Sequence, residues 1–212
     1  MIGMSESTGP EEAEVAGVLT APEEWRLFLE RYSELYVQVC ADEEELGELL
    51  DDDQLEALDR GERIEPWLGG APATEESLVA AEERLGVRFP PSLRGFFLAS
   101  DGWTRLDDCV DRVHPCGGVV WMRDSGLGGR MTETYASIPG NEDEVQLFRR
   151  CIEIARGEDF WLLDPTDVGP DGEWAAHEVA PKYGDSTRYP SFFALFRSGF
   201  ESMEEDADEA QD

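Results

Sequence analysis

Two histidines, four cysteines and 49 carboxylates are the side chains through which this 212-residue chain could do chemistry. His114 and His177 alone could act as bases near neutral pH. Neither lies in a nucleophile or metal motif. His177 and Glu178 form a bare dipeptide on an expected strand, where neighbours face opposite sides. Each histidine therefore reads as an ordinary surface or capped residue, with an unrecognised enzyme as the alternative. The cysteines are Cys40, Cys109, Cys116 and Cys151, and none forms a C-x-x-C pair. Cys109 and Cys116 flank His114 at a spacing unlike common zinc sites, so free thiols packed as small hydrophobes are expected. The runs Glu43–Glu45 and Asp51–Asp53 lack the alternating ligands and central glycine of a calcium loop, and read as solvated helix faces. Gly126-Leu127-Gly128-Gly129-Arg130 lacks the lysine and the strand-to-helix setting of a phosphate loop, and reads as a flexible surface loop. No catalytic, metal-binding or cofactor-binding residue is assigned, and no cofactor is expected.

Aromatic side chains offer recognition instead. Trp and Arg are enriched where binding energy concentrates. Trp121 is followed by Arg123 and Asp124 at an expected strand exit, and Trp103 and Trp174 are two further tryptophans of the same kind. These five residues are the candidates for partner contact. Burial in the core is the competing reading for each tryptophan.

The formal net charge is −32. Residues 1–66 hold 20 acids and 4 bases, and residues 201–212 hold 7 acids and no base. Such a surface repels phosphate backbones and anionic membranes, so neither nucleic acid nor membrane is an expected partner. It attracts a basic protein. Solubility alone is the plainer purpose of the same charge. No signal-like leader opens the chain and no apolar run approaches 18 residues, so a soluble, cytoplasmic protein is expected.

The elements that would position these residues follow from period and punctuation. Residues 1–12 read as a disordered leader. An acidic helical extension spans 13–66. Within it, Trp25, Phe28, Tyr32, Leu35, Tyr36 and Val39 recur at helical spacing over 21–40, and residues 43–60 suggest one or two shorter acidic helices. The Gly69-Gly70 and Pro72 break marks a boundary at 67. Thr74 caps a helix ending at Gly86, and Pro91 opens another ending at Asp101-Gly102. Strands are expected at 118–122, 151–155, 160–163 and 173–179, with Asp164-Pro165 closing the third and Gly169-Pro170-Asp171-Gly172 turning into the fourth. A helix is expected at 142–149. A final apolar helix spans 189–203, and 204–212 reads as an acidic disordered tail. Together these give an α+β fold: a mainly antiparallel sheet flanked by helices, with an N-terminal helical extension.

The stretch TEESLVAAEERLGVRFPPSLRGFFLASDGW, residues 74–103, resembles the signature of the SUKH superfamily, the Smi/Knr type of domain. The matching residues are Glu82, Leu85, Gly86, Phe89, Pro90, Phe97, Asp101 and Gly102. A second block, FWLLDPTDVGPDGEWAAHEVA, with Asp164, Pro165 and Gly172, is similar to the sheet hairpin of the family's bacterial branch, and TRYPSFFALF follows it. The inserted stretch from Gly126 to Glu144 departs from the pattern. The resemblance covers about residues 60–200 and makes 67–203 a SUKH-like domain. It implies an α+β fold without catalytic residues. It also implies a binding role: an immunity protein that neutralises a cognate basic toxin, often a nuclease, or else a regulatory scaffold of the Smi/Knr kind. The signature residues themselves read as architectural, since fold motifs specify packing before function.

Overall fold

The computed structural model describes residues 17–39, 42–106 and 109–209. The leader expected at 1–12 lies outside them. α1 (Pro22–Val39) opens with proline and two glutamates in its first turn, where the helix dipole favours acids. α2 (Glu43–Leu49) and α3 (Asp52–Asp59) are each capped by an aspartate, Asp42 and Asp51. α4 (Glu75–Leu85) starts at a Thr74–Ser77 capping box. It stops at Gly86, whose φ of 71° puts it in the left-handed region that a side chain resists. α5 (Pro91–Ala99) begins after the proline step.

One antiparallel sheet follows, in the order β1 (Trp103–Thr104), β2 (Arg112–Val113), β4 (Ile152–Arg156), β5 (Phe160–Val168), β6 (Trp174–Ala180), β7 (Asp185–Tyr189). A short β3 (Val120–Trp121) pairs with the start of β4. α6 (Gly126–Ala136) and α7 (Glu142–Arg150) are inserted before β4, and α8 (Phe192–Glu209) closes the chain.

The middle of the sheet, from β4 to the first half of β5 and β6, is buried on both faces. Trp161, Leu163, Ala176 and Ile154 point to a large core shared with α1, α4, α5 and α8. Phe160, Leu162 and Val179 point to a smaller one beneath α6 and α7. Alternation along β5 and β6 makes this division.

Three expectations need correction. Residues 126–130 are the first turns of α6, not a loop: Ser125 accepts the Gly128 N–H at 2.9 Å. A β-carbon on Gly128 would lie 1.9 Å from the Met122 carbonyl oxygen, so its bareness permits that docking. β5 does not close at Asp164-Pro165 but runs to Val168. Pro165 sits in a register shift between Asp164 and Val168, where no ladder donor is required. The tail expected at 204–212 is helical as far as Glu209. Met203 is buried in the large core, and Arg31 lies 3.6 Å from Glu204. α1 packs into the large core, in keeping with the apolar stripe read from its sequence. Its Trp25 meets Phe96, Phe192, Phe193 and Phe196 with ring centroids 5.4–5.6 Å apart.

Candidate protein-interaction surface

The polar signature residues turn inward. Glu82 is buried on α4. It accepts the Phe89 N–H at 3.0 Å and Arg94 Nη1 at 2.8 Å, pinning α5 across the proline step. Arg94 also pairs with Glu75. Asp101 accepts the Cys116 N–H at 2.6 Å. Gly102, at φ 100°, lets the chain pass into β1. Asp164 accepts Arg150 Nε at 2.6 Å and the Thr166 hydroxyl at 2.6 Å. Burial alone would raise the Asp164 carboxyl, but Thr166 and Arg150 more than offset it and hold it below the usual range. Leu85 and Phe97 are core residues, and Gly172, at φ 84°, turns the β5–β6 hairpin.

Sequence reasoning missed Glu173. Pro90 supplies no side-chain cap to α5. Glu173 does so from across the fold, accepting the Ser92 N–H at 2.7 Å and its hydroxyl at 2.5 Å. Burial raises this carboxyl, with the Ser92 bonds opposing. A glutamate next to a glycine turn gave no periodic signal. Arg105 was missed too. It holds a left-handed φ of 58° and reaches back to Glu45 at 3.0 Å and Glu48 at 2.9 Å, tying α2 to the sheet end.

The histidines are separated. His114 Nε2 lies 3.2 Å from Glu153 Oε1, which also takes Arg156 Nε at 2.7 Å. Burial works to raise Glu153, and His114, Arg156 and Ser125 overcome it, so the carboxyl stays below its ordinary value. His177 is 9% exposed, and its Nε2 has no hydrogen-bond partner among the described residues. Burial lowers its pKa. Cys116 and Cys151 are buried thiols, Cys109 is exposed, and Cys40 lies outside the described residues. Burial pushes both buried thiols up. Among the described residues no group of three or more His, Cys, Asp or Glu is placed to hold a metal ion, and no helix is long and apolar enough to cross a membrane.

The candidate contact residues divide in two. Trp103 and Trp174 are buried and cannot anchor a partner at the surface. Trp103 opens β1 with its ring turned inward, edge-on to Tyr32 and Trp67 at 5.8 and 5.2 Å. Trp174 faces the same core from β6. Trp121, Arg123 and Asp124 do come together. Trp121 is half-buried and donates to the Leu85 carbonyl at 3.2 Å. The Arg123 guanidinium lies 4.4 Å above its ring and donates to the Arg149 carbonyl at 2.7 Å. Asp124 stands 3.8 Å from Arg123. This stack joins α4, β3 and α7, and leaves exposed charge at its edge.

Outward-facing carboxylates are most concentrated in one segment. From residue 42 to 62 the chain has 11 acids and one base, on α2, α3 and their flanks. Neither helix buries a side chain. The model of the SMI1 / KNR4 family (SUKH-1) matches residues 72–198, more than half of the chain. No curated protein matches it.

Proposed function

Since the chain belongs to the SMI1 / KNR4 family (SUKH-1), we propose that it is a non-enzymatic protein-binding module acting in the cytoplasm, an immunity protein that neutralises a basic toxin domain by occupying it. One observation carries this reading: the signature carboxylates Glu82 and Asp101, with Glu173, are spent on internal bonds, while a large carboxylate excess faces outward. A surface of that kind speeds encounter with a basic protein and rejects acidic ones. A toxic nuclease fits the partner's side, because it must itself attract phosphates. Trp121, Arg123 and Asp124 are the proposed contacts on the family domain.

The test is direct titration of this protein against the purified toxin domain encoded beside its gene, at low and at high salt. We expect tight binding that weakens with salt and loss of toxin activity in the complex. No association, or association indifferent to salt, would overturn the proposal. The regulatory reading of Smi/Knr proteins predicts instead no toxin neighbour and a growth defect on deletion without toxin challenge.

A further inference from the structure

Resting on that reading, we infer that the docking site for the basic partner includes a groove along α1, filled by an apolar side chain flanked by arginine or lysine. The groove lies outside the residues matched by the family, apart from one end wall. Two hollows flank one turn of α1. One, of about 500 Å³, lies between α1 and the strap at residues 63–67, which leads into the family domain. The other, of about 430 Å³, lies between α1 and the end of α5, with Pro72 and Leu98 in its wall. Arg26, Leu27 and Glu30 border both.

Leu27 is 65% exposed, on a helix whose opposite face is deeply buried. An isolated exposed leucine means little. This one stands between two concavities and next to an Arg–Trp stack: the Arg26 guanidinium is 3.9 Å from the Trp67 ring centre. Trp and Arg are the residue types in which binding energy concentrates, and here they line a hollow whose other walls are mostly charged.

Charge selects the occupant. The arginines at the groove are already neutralised: Arg26 by Glu30 at 2.8 Å, Arg63 by Glu34 at 2.7 Å, and Arg31 by Glu204 at 3.6 Å. Glu65 stands at the strap, whose backbone carbonyl accepts Gln54 Nε2 from α3 at 3.4 Å. The acidic helix α3 therefore abuts the strap of the groove, and its field extends over it. An acidic segment, or a second copy of this −32 chain, meets repulsion there. A basic one is drawn in, and its apolar side chain is held against Leu27, Pro72 and Leu98.

The test uses the full chain and two short fluorescein-labelled peptides of equal length and arginine content, one with leucines and one with serines between the arginines. Anisotropy is read for the wild type, for Leu27→Ser, and for Val168→Ser as a control at another exposed apolar residue. We expect the leucine peptide to bind the wild type more tightly than the serine peptide. Leu27→Ser should weaken the leucine peptide by about fivefold or more, and Val168→Ser should leave it unchanged. Equal binding of both peptides, untouched by Leu27→Ser, would overturn the groove and leave the basic-partner reading standing. Binding of neither peptide would overturn both. Sedimentation of the same samples covers the remaining occupant: a dimer that Leu27→Ser converts to monomer makes the groove a self-interface and overturns the inference.

Discussion

At the scale of single residues, the buried ionisable groups divide by whether they have partners. Glu82, Glu153 and Asp164 each hold a donor at hydrogen-bond distance. His177 Nε2 is the contrasting case. Its ring lies on the β6 face that carries Val179, with Asp164 and Asp167 favouring its protonation and Arg150 and Arg188 opposing it. Burial, aided by the two arginines, outweighs the carboxylates and lowers its pKa from the usual value of about 6.5. The unfolded chain therefore takes up a proton that the folded chain refuses. The resulting stability is complete above about pH 6.5 and declines as pH falls toward the folded pKa. Glu173 acts in the opposite sense: its raised pKa favours the fold as acid protonates it. Both proteins in a comparison contain Glu173, so its effect cancels. Urea unfolding should show the wild type losing stability relative to His177→Phe on acidification from pH 7 to 5, because only the wild type carries the ring that the fold keeps neutral. Parallel curves would show that His177 does not titrate in this range.

At the scale of elements, close backbone approach decides which helices can meet. A β-carbon on Gly95 of α5 would lie 2.3 Å from the Thr20 carbonyl oxygen, just before α1, and 3.0 Å from the Trp25 ring. The first neighbour is backbone and cannot swing away. Gly95→Ala should destabilise the protein by about 1–3 kcal/mol through overpacking. Gly47 on α2 meets nothing within 4 Å, and Gly47→Ala there should stabilise by about 0.5–1 kcal/mol. Equilibrium denaturation of the two variants checks both signs, and equal effects would refute the argument. The same contrast explains what the sequence revealed. α1, α4, α5 and α7 were legible because their apolar period, caps and glycine or proline stops are local. β1, β2 and β3 are two residues long, too short for any period. β7, Asp-Ser-Thr-Arg-Tyr, is an exposed edge strand with no apolar face to betray it. α6 hid behind three glycines that disfavour a helix locally and are justified only by what Gly128 packs against. Likewise, Trp121 was legible as a contact candidate, whereas Trp103 was not separable from it until its burial was known.

At the scale of the whole molecule, the question is whether the extension is an appendage or part of the core. The family match begins at residue 72, and the break at residues 69–72 suggests a boundary. Packing contradicts a separable unit. Trp25, Phe28, Leu29, Tyr32 and Tyr36 are buried in the same core as Phe96, Trp103, Trp161 and Phe196. Tyr32 donates its hydroxyl to the Leu106 carbonyl at 2.7 Å, and the Leu68 N–H donates to Ser33 Oγ at 3.3 Å. Five such side chains at about 2 kcal/mol each contribute about 10 kcal/mol, as large as the whole stability of an ordinary domain. Without α1, the aromatic face of α8 and the Phe96 side of α5 would face water, a patch that soluble monomers avoid. A fragment of residues 67–212 should therefore bind a hydrophobic dye, lose near-ultraviolet circular dichroism and aggregate, while the full chain unfolds cooperatively. If the fragment instead proves monomeric with a sharp unfolding transition, α1 is dispensable to the core and the burial described above does not hold the domain together.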